Sequence, residues 1–460
     1  MQGAAEAVGG RLIGEDHPFG EVSTDSRRLQ AGALFVALRG ANFDGADFAA
    51  AAADAGAVGA VVERRLPLAI PQILVADTLG ALQRLARAWR AAFELPVVAV
   101  AGSNGKTTCK EMSAAILARM GPCMATRGNL NNHIGVPLTL MRLDAAHRSA
   151  VVELGANRRG DIAALMPLVR PTVAVITNAG AEHLQGFGDL DGVAAGEGEA
   201  VACLEADATA VLNADDPYVP FWRSLSAARR IASFGLCAAA DFCATNPHQG
   251  IERGEFVTRF SLECPLGEAS ITLHAGGIHN VMNAVAAAAA SAAAGASLAA
   301  IVAGLGEFRA VAGRLQLKPG ARGSWIIDDS YNANPSSVRA GLDVLNASSG
   351  AKWLVFGDMG ELGGTTDASH ADIGAYARAK GVARLFALGA LTPRAVETFG
   401  SGAEWFADAE ALIRRLQAEL APGVTVLIKG SRVNRLERVV EALTGGTATA
   451  AAADPARLAS

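Results

Sequence analysis

The chain has 460 residues, of which 51% are hydrophobic, and its formal net charge is -5 at pH 7. At ~150 residues per domain, this length predicts roughly two to four domains, and the weakly acidic charge excludes a broad basic surface for nucleic acid. The 6 cysteines are scattered without a CxxC pair, and the amino terminus lacks the basic start and continuous apolar core of a signal peptide. We therefore expect a cytoplasmic protein with reduced thiols.

The first block, residues 1–93, alternates short apolar runs with alanine-rich helical stretches. This pattern predicts a small α/β domain with strands at 34–38, 59–62 and 72–75.

The second block, residues 94–312, repeats a strand-then-helix pattern, which predicts a parallel sheet. Its predicted strands are 96–101, 149–154, 173–177 and 210–213. The uncharged stretch 284–305 is mostly Ala, Ser and Gly, which are weak membrane formers. Gly295 followed by Ser297 predicts a helix end and a new N-cap, so we expect two buried helices and no membrane insertion.

The third block, residues 313–445, has predicted strands at 325–328, 353–357, 384–388 and 425–429, separated by helical segments. This pattern predicts a doubly wound, Rossmann-like domain. The tail 446–460 is rich in small residues and is predicted to be disordered. The expected architecture is therefore α/β, with a central parallel-sheet ATPase domain between two smaller domains, mobile linkers and closure upon ligands.

A glycine-rich loop follows the predicted strand that ends at Ala101 and precedes a helix. The loop reads Gly102-Ser103-Asn104-Gly105-Lys106-Thr107-Thr108. Glycines let backbone N–H groups point at phosphate oxygens, while Lys106 supplies a charge and Thr107 a ligand for Mg²⁺. An ordinary tight turn would need neither the lysine nor two hydroxyls, so the loop predicts an ATP site.

The short GxNGKTT form of this loop resembles the Mur ligases and the related folylpolyglutamate synthases, and further motifs follow in order along the chain. They are Thr24-Asp25-Ser26-Arg27, Phe43-Asp44-Gly45, Gly128-Asn129-Leu130-Asn131-Asn132, Glu153-Leu154-Gly155-Ala156-Asn157, His183-Leu184, His279-Asn280, Gly313-Arg314, Tyr331-Asn332-Ala333-Asn334-Pro335, Gly357-Asp358-Met359 and Lys429-Gly430-Ser431-Arg432. The YNANP and GDMxELG strings resemble the family member that adds D-alanyl-D-alanine to UDP-N-acetylmuramoyl-tripeptide.

The resemblance implies an ADP-forming ligase of peptidoglycan precursor synthesis that uses ATP and Mg²⁺ and works as a monomer. ATP would phosphorylate the terminal carboxylate of the tripeptide, and the amine of D-alanyl-D-alanine would attack the acyl-phosphate. Such a reaction needs positioning and charge neutralisation more than a covalent nucleophile. The first block would hold the UDP end, the second ATP and Mg²⁺, and the third the incoming dipeptide.

Four residues are expected to serve catalysis or the metal besides the loop lysine. Glu153 ends an apolar strand, where a carboxylate reaches the carboxyl edge of a parallel sheet. The resemblance implies that His183 ligates a second metal, with Thr107 and Glu153 on the first.

Glu197 stands where the family normally has a lysine that is commonly carbamylated. Its carboxylate has the charge of the carbamate on a shorter arm, so it is a candidate metal ligand that needs no CO2. There are two alternatives to a metal role. Glu197 could be a surface acid beside Glu199, or the replacement of the lysine could have damaged the metal site.

The remaining candidates are ligand contacts. Asn280 and Asn283 share a helix face and are predicted at the adenine, unless Asn280 is a helix N-cap. Arg314 and Asp329 are assigned to ATP, and Lys429 and Arg432 to the acyl-phosphate or a substrate carboxylate. The resemblance adds Asn129, Asn131, Asn132 and Asn332 for the substrate. For the UDP end, the candidates are Ser26, Arg27, Phe43, Asp44 and Gly45; the family often has a histidine at the position of Ala46.

Three other functions remain open. A sister ligase acting on the muramoyl peptide would share most motifs, whereas a folate-polyglutamylating enzyme would not need the first block. A nucleotide-binding regulatory protein would retain the loop with a damaged metal site. Phosphate release that depends on the amine acceptor separates an enzyme from a binding protein.

Overall fold

The computed structural model describes residues 1–40 and 43–445 and contains three sheets that follow one another along the chain. The α/β class with three domains is confirmed. The predicted disordered tail, 446–460, lies outside the described residues. No helix within the described residues is long and apolar enough to cross a bilayer.

The first sheet has the strand order β1-β5-β4-β3-β2, in which only the β1–β5 pair is antiparallel. Its strands are β1 (Arg11–Ile13), β2 (Val22–Ser23), β3 (Leu34–Val36), β4 (Gly59–Val62) and β5 (Gln72–Leu74). Its helices are α1 (Gln2–Val8), α2 (Ala49–Asp54) and α3 (Thr78–Arg90). The three predicted strands are the central members of this sheet.

The second sheet is the largest, and its order is β14-β13-β12-β11-β10-β9-β6-β8-β7. Its strands are β6 (Val97–Ala101), β7 (Cys123–Ala125), β8 (Ser149–Glu153), β9 (Val173–Ile176), β10 (Thr209–Asn213), β11 (Arg230–Gly235), β12 (Phe242–Glu252), β13 (Glu255–Cys264) and β14 (Gly267–Leu273). Strand β6 lies between β8 and β9, where the strand order reverses, and this switch point is where ligands bind in open α/β sheets.

Helices cover both faces of this sheet. They are α4 (Lys106–Leu117), α5 (Gly135–Leu140), α6 (Asp161–Val169), α7 (Leu184–Phe187), α8 (Leu190–Ala202), α9 (Val219–Leu225), α10 (Ile278–Ala293) and α11 (Leu298–Glu307). The predicted break in the alanine-rich stretch is present, because Ser297 caps α11 by accepting a hydrogen bond from the Ala300 N–H at 3.3 Å. Helix α10 is small-residue-rich because its alanines are buried against α4 and the sheet.

The third sheet has the order β15-β16-β20-β17-β18-β19, parallel except at β15. Its strands are β15 (Gln316–Pro319), β16 (Trp325–Asp329), β17 (Ala351–Gly357), β18 (Arg384–Leu388), β19 (Ala403–Phe406) and β20 (Val424–Lys429). Its helices are α12 (Pro335–Asn346), α13 (Thr366–Ala379), α14 (Pro393–Phe399), α15 (Ala409–Glu419) and α16 (Glu437–Thr444).

The β12–β13 hairpin joins the second sheet to the third domain. Phe256, near the start of β13, is 4% exposed and belongs to the same apolar cluster as Ile327 and Leu342 of the third domain. Ile251 packs against that cluster from β12. The core of the third domain therefore includes a side chain supplied by the central one.

Candidate active site

The phosphate loop connects β6 to α4. Gly102 and Gly105 have φ angles of 115° and 84°, in the left-handed region that favours glycine. An added Cβ at Gly105 would also lie 2.1 Å from Asn283 Oδ1, so a side chain there would displace the Asn283 amide. The Thr177 hydroxyl, at the end of β9, donates to the Asn104 carbonyl at 2.7 Å and holds the middle of the loop.

Lys106 is surrounded by acids. Its Nζ donates to the Ser103 carbonyl at 3.0 Å and forms an ion pair with Glu182 at 3.2 Å. Burial alone would lower the pKa of Lys106, but the carboxylates of Glu182, Glu197 and Glu153 raise it. The lysine therefore stays charged beside the loop. Glu182 was not predicted from the sequence, although it directly precedes His183.

Two cavities meet at the loop and share Asn104, Gly105, Arg314 and Ser337 in their linings. The larger, of about 1020 Å³, contains these predicted residues: Ser103, Asn104, Gly105, Lys106, Thr107, Asn129, Asn131, Asn132, Glu153, His183, Arg314, Asn332 and Arg432. The smaller, of about 350 Å³, contains Asn104, Gly105, Thr108, Asn280, Asn283, Arg314, Asp329 and Lys429. The loop therefore borders two separate spaces.

In the smaller cavity, two asparagines on α10 are hydrogen-bonded in series. Asn283 Nδ2 donates to Asn280 Oδ1 at 3.2 Å, and Asn280 Nδ2 donates to the Gly276 carbonyl at 2.7 Å. The N-cap of α10 is Gly277, so the alternative interpretation of Asn280 as the N-cap is wrong. Both amides remain available as predicted adenine contacts.

The cations of the third domain lie in different cavities. Lys429 is 2% exposed in the smaller one, where its Nζ binds Asp329 Oδ2 at 2.6 Å. Arg432 lines the larger one, with its Cζ 5.8 Å from the centroid of the Tyr331 ring. Arg314 approaches the same ring at 4.4 Å. Lys429 and Arg432, which were predicted to share one role, are therefore not brought together.

Glu153 has one carboxylate oxygen without a partner. Asn131 Nδ2 donates to Glu153 Oε1 at 2.8 Å, and the Glu153 backbone N–H donates to Thr126 Oγ1 at 3.0 Å. Glu153 Oε2 is buried and has no hydrogen-bond partner. An unpaired buried carboxylate oxygen is unfavourable, and a divalent cation would satisfy it. The donor chemistry at Glu153 thus fits a metal.

His183 is turned toward the third domain. Its Nδ1 contacts the carboxylate of Glu361, and the Gln185 N–H donates to the Glu361 carbonyl at 3.3 Å. Within residues 1–40 and 43–445, no three His, Cys, Asp or Glu side chains are grouped so as to hold a metal ion. The predicted metal roles of His183 and Glu197 therefore stay predictions.

Helix α8 directs two carboxylates at two loops. Glu197 is 1% exposed, and its Oε2 accepts a hydrogen bond from the Gly102 N–H at 2.6 Å. The interpretation of Glu197 as a surface acid is therefore wrong. Burial raises the pKa of Glu197 to about 7, against the opposing effect of Lys106. Glu199 accepts hydrogen bonds from the N–H groups of Gly160 and Ala163 at 2.6 and 2.9 Å.

The five candidates for the UDP end, Ser26, Arg27, Phe43, Asp44 and Gly45, are absent from both cavity linings. Arg27 pairs with Asp25 at 2.8 Å, and its side chain is 86% exposed. Asp44 pairs with Arg64 at 2.8 Å and accepts from the Ala46 N–H at 2.9 Å. Their predicted contacts with uridine stay predictions.

The third domain is hydrogen-bonded to the phosphate loop. Asn334 Nδ2 donates to Asn104 Oδ1 at 2.8 Å, and Asn104 Nδ2 donates to Ser336 Oγ at 3.0 Å. Asn334 is also the N-cap of α12, in a capping box with Ser337. Asn334 was not predicted as a site residue, although the Asn-Pro pair, which is typical of a helix start, was the available signal.

Family models match most of the chain. The model described as Mur ligase family, catalytic domain, matches residues 19–90; Mur ligase middle domain matches 100–291; and Mur ligase, glutamate ligase domain, matches 313–432.

Individual proteins are similar over nearly the whole length. The UDP-N-acetylmuramoyl-tripeptide–D-alanyl-D-alanine ligase of Escherichia coli (strain K12) is 44% identical, with 95% of this chain and 96% of the relative covered. A crystal structure of MurF from Acinetobacter baumannii has a TM-score of 0.89 at 36% identity, covering 96% of this chain and 98% of that one. MurF ligase from Thermotoga maritima in complex with ADP has a TM-score of 0.81 at 28% identity, covering 92% and 96%. The chain belongs to the Mur ligase family.

Proposed function

We propose that this protein is an ATP-dependent, ADP-forming ligase that joins D-alanyl-D-alanine to UDP-N-acetylmuramoyl-tripeptide. The observation that carries the proposal is the larger cavity, in which the phosphate loop and Glu153 of the central domain face Arg432 of the third domain. Similarity to the Escherichia coli ligase over 95% of the chain supports this choice of substrates over those of a sister ligase.

The reaction needs two transfers in one place. A carboxylate oxygen of the tripeptide attacks the γ-phosphorus of ATP and ADP leaves, which gives an acyl-phosphate. The amine of D-alanyl-D-alanine then attacks the acyl carbon, loses a proton and expels inorganic phosphate. Lys106 neutralises developing charge on the phosphoryl oxygens, and the loop N–H groups orient them. The adenosine end occupies the smaller cavity beside Asn280, Asn283 and Asp329.

Magnesium fits the donors on the central domain. Glu153 and Thr107 would hold it, since both line the larger cavity and Glu153 Oε2 lacks another partner. When bound, Mg²⁺ neutralises phosphate charge. His183 is a candidate for a second ion once it separates from Glu361.

Glu197 replaces the carbamylated lysine of the family without a need for CO2. In support, its carboxylate is buried against the phosphate loop and close enough to Lys106 to raise the pKa of the lysine. The remaining parts of the proposal are a cytoplasmic location, a monomeric state, and domains at 1–93, 94–312 and 313–445.

The test is phosphate release from ATP by the purified full chain in buffer stripped of CO2, with Mg²⁺ and UDP-N-acetylmuramoyl-tripeptide. We expect release to require D-alanyl-D-alanine, and Glu197→Ala to lose it, whereas a variant of the exposed Glu205 keeps it. If another amino acid supports phosphate release equally well, a sister ligase is favoured. Nucleotide binding without any acceptor-dependent release would favour a regulatory protein.

A further inference from the structure

A short loop carrying two arginines forms one wall of the larger cavity. Residues 157–160 are the second half of the connection between β8 and α6, and Arg158 and Arg159 are exposed and line the cavity. Arg158 Nε lies 3.4 Å from Asp161 Oδ1 and is partly neutralised. Arg159 has no ion pair or side-chain hydrogen bond within the part of the chain that the structure describes. Its guanidinium is therefore free for a ligand.

The backbone of this loop is fixed from several sides. Asp161 Oδ2 accepts hydrogen bonds from the N–H groups of Asn157 and Arg158 at 2.9 and 3.2 Å. The Glu199 carboxylate holds two further N–H groups at the end of the loop and in the first turn of α6. A Cβ at Gly186 would lie 2.0 Å from the Asn157 carbonyl oxygen, so α7 packs tightly on the loop. Because the backbone is fixed in this way, only the side chain of Arg159 has to be ordered on binding.

The charge of this wall selects among substrates. Under the proposed function, the tripeptide carboxylate that is activated lies at Lys106 and Glu153, in the same cavity as Arg159. The side chain of that same third residue extends from the activated centre. A guanidinium pairs with a carboxylate in a two-pronged geometry, and it repels an ammonium group. The side chain of diaminopimelate ends in both a carboxylate and an ammonium group, whereas that of lysine ends in an ammonium group alone, so only diaminopimelate offers the guanidinium a partner.

We propose that Arg159 binds a carboxylate on the side chain of the third residue of the tripeptide, so that the enzyme selects a diaminopimelate-type residue over lysine. Arg158 adds positive potential at the same wall. Glu199 is a positioning residue, because it holds the loop without lining the cavity. The inference rests on the proposed function and adds to it the residue that discriminates between substrates.

The experiment compares two UDP-linked tripeptides, one ending in diaminopimelate and one in lysine, in acceptor-dependent phosphate release. Arg159→Ala should lower kcat/KM for the diaminopimelate substrate by ~10- to 100-fold, mainly through KM, as expected for loss of a charged pair. The same variant should leave the lysine substrate unchanged or improved. Arg159→Lys should recover part of the loss, since it restores the charge without the fork.

Matched variants separate binding from general damage. Arg414→Ala removes an exposed arginine of α15 that lines neither cavity, and both substrates should be unaffected. Glu199→Ala should reduce the preference for diaminopimelate, and Glu199→Gln should retain more of it because an amide oxygen still accepts one N–H.

Two results would overturn the inference. If Arg159→Ala lowers kcat/KM equally for both substrates, Arg159 binds an anion common to them, such as the diphosphate. If it lowers kcat/KM for neither, Arg159 does not contact the substrate. Absence of turnover by the parent protein is instead a failure of the proposed function. Calorimetric binding of the two UDP-linked tripeptides to the parent and to Arg159→Ala would then still test the subsite.

Discussion

Glu197 Oε2 and the backbone N–H of Gly102 are joined by a hydrogen bond of 2.6 Å, which ties helix α8 to the first residue of the phosphate loop. Position 197, where the family resemblance implies a lysine, thus contacts the loop directly. Burial of this acid links the charge at position 197 to the stability of the ligand-free protein.

The first prediction concerns pH. The pKa of Glu197 is about 7 in the folded protein against an ordinary 4.5, so the folded state holds this proton more tightly than the unfolded chain. The stability that comes from this tighter proton binding is fully present below pH 4.5 and is lost as the pH rises through 7. Glu197→Gln should therefore gain stability over the parent between pH 5 and 8, by at most ~3 kcal/mol. Urea unfolding without nucleotide and with a chelator measures this. Parallel pH profiles for parent and variant would contradict it.

The second prediction concerns the Lys106–Glu182 pair. Glu182→Gln removes a carboxylate that competes with phosphate for the lysine and repels the nucleotide. Binding of ADP in the presence of a chelator should tighten about fivefold, or ~1 kcal/mol, because one repulsive carboxylate beside the phosphates is removed. Titration calorimetry measures the affinity, with Glu205→Gln as an exposed control. Weaker binding would instead mean that Glu182 helps to hold the nucleotide.

The third prediction concerns the contact between the third domain and the loop. Asn334→Ser keeps a good N-cap for α12 but is too short to reach Asn104, so stability should be close to that of the parent while KM for ATP rises several-fold. Asn334→Ala should raise KM similarly and also lower the free energy of unfolding by ~1 kcal/mol through loss of the cap. Thermal unfolding and steady-state kinetics distinguish the two. An unchanged KM in both variants would show that the contact does not matter for ATP.

The fourth prediction concerns Phe256. Replacing this buried ring by alanine leaves a cavity in the third domain's core and should lower the free energy of unfolding by ~3 kcal/mol, whereas Phe256→Leu should lose about a third as much. Calorimetry of Phe256→Ala should also show the central and third domains unfolding in separate transitions. Phe221→Ala, at a ring that is 39% exposed, is the control. A single, unshifted transition in Phe256→Ala would contradict the interdomain role.

The central parallel strands were predictable because they are short, largely buried apolar runs next to turn residues. The parallel strands β2, β7, β11 and β19 were missed because they are very short or partly exposed. The predicted strands at 59–62 and 384–388 have the observed bounds of β4 and β18, and the other predicted strands differ by one or two residues. The antiparallel extension β12–β14 was missed. In β12, Asn246 has a positive φ of 52° and is followed by Pro247, and the register with β13 shifts between Thr245 and His248. This irregularity interrupts the alternation of apolar and polar residues that would have indicated a strand.

The part of the site that lies on one continuous segment, the phosphate loop, was predictable. Contacts between segments that are distant in sequence were not predictable. Asn104 and Asn334 are 230 residues apart in sequence, and His183 meets Glu361 from another domain. Local pattern carries no signal for such pairs, because domain packing determines them. Glu197 shows the same limit: its replacement of a lysine was visible, but its hydrogen bond to Gly102 required the fold.

The apolar side chain that the β12–β13 hairpin supplies to the third domain has a consequence for synthesis on the ribosome. In the proposed division the central domain ends at residue 312, but the apolar cluster around Phe256, which includes Ile327 and Leu342, lies beyond Gly313 and emerges later. At about 5–20 residues per second, this interval is on the order of ten seconds. During that time the nascent chain exposes an aromatic hairpin tip, which makes it a substrate for chaperones that bind emerging apolar segments.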